Sequence, residues 1–97
     1  MNNFSATRRK EMIEILEKNE MTARNLAEIF RVNMEYILED LKHISLSIRK
    51  FHKKLEIRPA ICNTCGFVFK DRKMLSRPTK CPKCRKEDIT EPIFYIE

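Results

Sequence analysis

Four cysteines constrain this chain more than any other feature. They stand as Cys62-x2-Cys65 and, after fifteen intervening residues, Cys81-x2-Cys84. In each pair the chain turns tightly, so both sulfurs aim at one point while backbone N–H groups face them. Two such turns close a tetrahedron of thiolates about 2.3 Å from a metal ion. Gly66 follows Cys65 directly, where the turn calls for a positive φ, and Pro82 stiffens the second turn. Arg85 stands where the first turn has its glycine, which makes the second turn the less relaxed of the two. With all four positions filled by protein, no place remains for water, and the expected ion, one Zn2+, is structural rather than catalytic. Iron also accepts four thiolates and would make the site an electron carrier.

Other uses of four cysteines fit less well. Two disulfides require an oxidising compartment, and residues 1–10 hold no apolar signal-peptide core. The expectation is a reducing, cytoplasmic setting with no membrane association, since no apolar run approaches the ~18 residues a spanning helix needs. A thiol oxidoreductase would use one Cys-x2-Cys pair on a βαβ background, which is absent. No Gly-rich phosphate loop or nucleophile–base pair stands out, so no enzyme activity is expected. His43 and His52 are surplus to the metal site and read as surface or boundary residues.

Composition divides the chain. Residues 1–53 contain no Cys, Pro or Gly, whereas all four Pro, all four Cys and the single Gly lie from Pro59 onward. The first part reads as helices and the second as strands and turns. Helix one is expected over residues 7–18, with Met12, Ile13 and Leu16 on one face and Asn19 as terminator. Helix two is expected over 23–30, capped by Thr22, with Ala23, Leu26, Ala27 and Phe30 apolar. Helix three is expected over 34–51, capped by Asn33, with Met34, Ile37, Leu38, Leu41, Ile44, Ile48 and Phe51 at helical spacing. Glu35, Glu39 and Asp40 near its start, and Arg49 and Lys50 near its end, suit the helix dipole. Leu55 and Ile57 alternate with Glu56 and Arg58 as a half-buried strand, Phe67–Phe69 is a second short strand, and 93–96 a last one.

This order, three helices followed by a two-stranded ribbon, supplies the parts of a winged helix-turn-helix. The expected fold is α+β, a winged helix-turn-helix with a four-cysteine zinc ribbon inserted in the wing. Residues 1–61 form the helical part and first wing strand (54–61), 62–88 the ribbon, and 89–97 the returning strand.

The chain carries a net charge of +6 at neutral pH, falling to about +4 once four thiolates and one Zn2+ are counted. Basic residues cluster in the ribbon, where Lys70, Arg72, Lys73, Arg77, Lys80, Lys83, Arg85 and Lys86 face Asp71 alone. A second cluster is Arg49, Lys50, Lys53 and Lys54, and a third is Arg8, Arg9 and Lys10. Lysines that merely solubilise a small module would look the same, but such clusters also suit salt-dependent contact with phosphates. In a helix-turn-helix the start of the second motif helix faces base edges. Here Asn33 and Tyr36 are candidates to contact bases or phosphates, with Arg31 in the turn and Lys42 further along. Glu35 and Glu39, with Asp40 beside them a turn later, make this face acidic, and the two glutamates oppose phosphate contact unless they accept from cytosine amino groups. Double-stranded DNA is therefore the expected partner, and a protein or RNA partner the alternative.

The chain resembles the small archaeal predicted transcriptional regulators in which a winged helix-turn-helix is fused to a rubredoxin-like zinc ribbon. The resemblance runs through Thr7-Arg8-Arg9, the helix from Ile13 to Leu16, Asn25-Leu26-Ala27-Glu28-Ile29, Ile37-Leu38-Glu39-Asp40-Leu41-Lys42 and Ile57-Arg58-Pro59-Ala60. Its most specific part is Cys62-x2-Cys65-Gly66-Phe67-Val68-Phe69-Lys70, with Pro78, Cys81-Pro82-Lys83-Cys84 and Glu91-Pro92-x-Phe94. The resemblance implies zinc at the four cysteines, a ribbon that replaces or extends the wing, and a role in transcription.

Overall fold

Apolar residues three and four apart wind the first segment into α1, Phe4–Lys18, one turn longer at its start than expected. The computed structural model describes residues 4–70 and 75–97. Met12 and Leu16 of α1 are fully buried. The helix stops at Asn19, whose backbone N–H and side-chain amide both donate to the Ile15 carbonyl, at 2.8 and 3.1 Å. A two-residue strand follows, β1, Met21–Thr22. Then comes α2, Ala23–Phe30, where Thr22 Oγ1 accepts the Asn25 backbone N–H and Asn25 Oδ1 accepts that of Thr22. This reciprocal pair satisfies two donors that the first turn would otherwise leave bare. Arg31 ends α2 in the left-handed region at φ 56°.

The third helix, α3, is Met34–Ser47, and the chain then tightens into a 3-10 turn, Ile48–Phe51. The expected single helix to residue 51 is thus corrected in its last turn. Asn33 occupies the N-cap, but its side chain makes no capping bond. Phe51, expected on the apolar face, is 64% exposed, with the Lys50 ammonium 5.3 Å from its ring centre. The change of pitch after Ser47 carries it off the buried stripe.

Buried Met12, Leu16, Leu26, Ile37, Leu41, Ile44, Ile48 and Phe94 form the core between the helices and the sheet. Each such side chain contributes roughly 1.5–3 kcal/mol by leaving water. One charged residue joins them. Asp40 is 1% exposed and takes Arg8 Nε on one carboxylate oxygen at 2.5 Å and Arg9 Nε on the other at 2.8 Å. This corrects two expectations: Asp40 does not face outward from α3, and Arg8 and Arg9 are engaged by it rather than held out for phosphate.

The sheet has three antiparallel strands rather than two, in the order β1-β3-β2, with β2 Leu55–Arg58 and β3 Ile93–Ile96. In register, Leu55 faces Ile96 and Arg58 faces Ile93, while Met21 faces Phe94 across the other edge of β3. The first wing strand, expected to reach residue 61, stops at Arg58. Pairing resumes at the same offset farther out, with Cys62 opposite Ile89 and the Thr90 N–H donating to the Ile61 carbonyl. That offset sets Pro59 opposite Pro92. Neither can donate a ladder bond, so the ladder breaks there without either strand gaining a residue. Beyond the break, a second small core gathers Ala60, Cys62, Cys81 and Ile89, flanked by half-buried Phe67 and Phe69. The strand expected at Phe67–Phe69 reduces to one bridge, Val68 with Ile61. Among the described residues, no helix is long and apolar enough to cross a membrane.

Candidate metal centre

The two Cys-x2-Cys turns are built alike. In the first, the Cys62 N–H donates to the Phe67 carbonyl and the Gly66 N–H to the Cys62 carbonyl, both at 2.9 Å. In the second, the Cys81 N–H donates to the Lys86 carbonyl and the Arg85 N–H to the Cys81 carbonyl, at 2.9 and 2.8 Å. The residue after the second cysteine of each turn is left-handed, Gly66 at φ 80° and Arg85 at φ 62°. Glycine takes that conformation without steric cost, while arginine brings its Cβ close to backbone oxygen. The two turns therefore differ in strain though not in hydrogen bonding, as the sequence leads one to expect.

The four sulfurs converge within 4.8 Å of one another. The Cys62–Cys84 and Cys65–Cys81 sulfurs are 3.5 and 3.6 Å apart. A tetrahedron with arms of about 2.3 Å has edges of about 3.8 Å, so this cage fits one four-coordinate ion. No disulfide joins the cysteines.

The electrostatics of the cage also call for a cation. The backbone N–H of Cys65, joined by that of Thr64, holds the Cys62 thiol down to about 6, against the opposing effect of burial. At Cys81 burial raises the value, but the N–H groups of Cys84 and Lys83 outweigh it and the thiol is lowered. Cys84 receives the Lys86 N–H, yet burial and the three neighbouring sulfurs together push it up to about 12. The turns thus prepare negative sulfur at the first cysteine of each pair, and the last thiol to ionise needs a positive charge beside it. A metal ion held by Cys62, Cys65, Cys81 and Cys84 would supply that charge and tie the two turns together. With four protein ligands it leaves no coordination place for a substrate.

The residues considered for nucleic acid lie in separate places. Arg31 and Asn33 are exposed in the turn between α2 and α3, and Tyr36 is 49% exposed on the first turns of α3, with the Arg8 guanidinium 5.8 Å from its ring centre. Lys42, Arg49, Lys54 and Leu55 are among the residues that line a groove of about 410 Å³, with Glu56 and Leu75. Lys50 is exposed beside Phe51. Lys53 is paired with Glu17, and Lys54 lies 3.8 Å from Glu56. Lys80, Lys83 and Lys86 are exposed around the second cysteine turn. Arg72, Lys73 and Asp71 lie outside the described residues. His43 and His52 are exposed and take no part in the cysteine cluster.

Two groupings escaped the sequence reading. The ion cluster of Asp40 with Arg8 and Arg9 had a signal, since Asp40 sits at the margin of the Ile37, Leu41, Ile44 stripe. The other is an open pocket on the ribbon, floored by Phe67 and Phe69. Its lining comes from residues 67–70 and 76–82, on two sides of a loop.

Residues 7–55 match the family described as PF0610-like, N-terminal, and residues 59–97 match the PF0610 rubredoxin-like zinc beta-ribbon domain. No curated protein matches the chain. Among solved structures, the solution NMR structure of protein PF0610 from Pyrococcus furiosus is 41% identical, with the match covering 100% of this chain and 94% of that one at a TM-score of 0.81. The chain is accordingly a member of the PF0610-like family, with a helical N-terminal part and a rubredoxin-like zinc ribbon.

Proposed function

We propose that this protein is a non-enzymatic, zinc-containing regulator of transcription that contacts double-stranded DNA. On this reading α1, β1, α2, α3, β2 and β3 form a winged helix-turn-helix, and the zinc ribbon extends its wing. The observation that supports it best is the pair α2 and α3, joined by Arg31–Asn33 and sharing one core with α1 and a three-stranded sheet of order β1-β3-β2. The start of α3 then faces base edges through Asn33 and Tyr36, and Lys42, Arg49 and the ribbon lysines meet phosphates. The acidic start of α3 is a smaller obstacle than its sequence implies, because Asp40 is buried and neutralised by two arginines. Zinc holds the ribbon in place and does no chemistry.

The test is fluorescence anisotropy of zinc-loaded protein with pooled duplex fragments across a salt series. Binding that persists near physiological salt and prefers some fragments supports a sequence-reading regulator. Replacing Lys80, Lys83 and Lys86 by Ala is expected to lower the salt slope by roughly 1 to 3 units, at ~0.9 per lost phosphate contact. An unchanged slope puts these lysines off the DNA.

A second reading is an adaptor that meets protein or RNA of the transcription machinery. Leu46 and Phe51, 63% and 64% exposed near the end of α3, favour it. Duplex binding that vanishes with modest salt would select this reading. Iron in place of zinc would give a red, reducible preparation, and a colourless one with stoichiometric zinc would sink the electron-carrier alternative.

A further inference from the structure

The pocket on the ribbon combines aromatic rings with positive charge that no carboxylate among its described lining residues opposes. It encloses about 650 Å³ and is open to solvent, a size within the roughly 300–1,000 Å³ of ligand sites. Phe67 and Phe69 meet in its floor with ring centres 5.0 Å apart and planes at 83°. In this edge-to-face contact, one ring gives its edge to the other and keeps its own two faces uncovered by its partner. Pro78 and Pro82 continue the apolar wall, and Lys70, Arg77 and Lys80 stand at the rim. Among the described residues, no carboxylate lines the pocket.

Each half of this arrangement asks for something different from a ligand. The rim asks for negative charge. The floor asks for a flat apolar face, which an acidic peptide has only where it carries an aromatic residue and which a paired base keeps inside its stack. An unpaired nucleotide has both: a base that can stack on a ring and phosphates on either side of it. Stacking on aromatic side chains inside a basic groove is the general means by which proteins hold single strands.

We propose that the ribbon carries a binding site for single-stranded nucleic acid, in which one base stacks against Phe67 and Phe69 and the adjoining phosphates meet Lys70, Arg77 and Lys80. The site is separate from the contact of α3 with duplex, although Lys80 belongs to both proposals. The rings serve the ribbon core with one part of their surface and the ligand with another, so the metal indirectly positions the site.

Anisotropy with zinc-loaded full-length protein tests this, using labelled oligothymidylate, oligouridylate and a duplex of the same length. Both single strands are expected to bind more tightly than the duplex, and the difference between them tells DNA from RNA as the preferred source. Phe69→Leu keeps an apolar residue but removes the ring; it is expected to weaken single-strand binding about tenfold and leave duplex binding unchanged. Lys70→Ala and Arg77→Ala are each expected to lower the single-strand salt slope by about 0.7. Because the chain has no tryptophan, Phe69→Trp places a unique tryptophan in the floor, and its emission, excited beyond the range of the two tyrosines, should be quenched when a base stacks on it. Native mass spectrometry checks that each variant retains its metal. If Phe69→Leu sheds zinc, Phe69→Trp and the two rim variants decide. Single strands that bind no better than the duplex, a tryptophan emission unmoved by saturating oligonucleotide, or unchanged slopes in both rim variants would overturn the proposal. Lys42→Ala with Arg49→Ala separates the two readings, since it should weaken the duplex and spare the single strands.

Discussion

The helical part and the ribbon solve the same problem with different materials. Around α1, α2, α3 and the sheet, ten buried apolar side chains form one continuous core. Past Pro59 and Pro92 the buried set shrinks to Ala60, Cys62, Cys81 and Ile89, half of it sulfur. A segment this short cannot bury enough apolar surface to offset the entropy of its ordered backbone. The convergence of four thiols takes the place of that core, and the ion that binds them does the organising. The difference teaches that one chain can hold two kinds of stability, one set by area and the other by coordination.

Changes that separate the two kinds should differ greatly in size. The largest is Cys81→Ser, which leaves three thiolates and an open site. Loss on the order of 10 kcal/mol of metal binding should strip stoichiometric zinc and disorder residues 62–88, while far-UV circular dichroism keeps its helical signal. Retained zinc by native mass spectrometry would refute it. Next is Phe94→Ala at the centre of the other core, where the residue is 0% exposed. A cost of about 3–5 kcal/mol should appear as a large fall in thermal midpoint, with zinc still bound below it. If zinc is lost in parallel at low temperature, the two parts are not separable. Asp40→Ala should cost about 2 kcal/mol in denaturant melts, because it leaves two half-buried arginines facing each other without their shared acceptor. An effect near zero would make the cluster a surface contact.

The smallest changes compare the two cysteine turns. Gly66→Ala meets no atom within 4 Å, so its cost of about 1 kcal/mol is backbone strain alone. Arg85→Gly should move the opposite way by less than about 1 kcal/mol, since relief of strain is partly offset by a looser unfolded chain. Competition with a chelator reads both as shifts in zinc affinity. Equal effects of the same sign would remove the asymmetry between the turns.

What could be read from the sequence follows the range over which each signal acts. Helix α2 matches its expected bounds, because Thr22 and the apolar positions act within one or two turns. Strand β3 also matches, its four residues being apolar and bounded by Pro92. The convergence of the sulfurs follows from spacing, since a Cys-x2-Cys turn is a local structure. Strand β1 was not legible, because two residues carry no period and only Phe94 and Ile93 across the sheet define them. The cap bond expected of Asn33 fails although its position holds. Asp40 was misplaced because its partners lie more than thirty residues away, and charge alone does not disclose burial. The pocket of Phe67 and Phe69 depends on how the second cysteine turn folds over the first, which no local pattern encodes.

The facing prolines give the molecule a seam. Both strands cross it in step, so the segment between them joins the rest at two matched ends, with Leu75 also packed against the helical core. A tight hairpin grafted from Arg58 to Ile93 should join the two strands without moving either, at the cost of the contact that Leu75 makes with the helical core. The cysteine module is thus built like an exchangeable tool on a fixed handle, and swapping it would ask which of the protein's contacts belong to the handle.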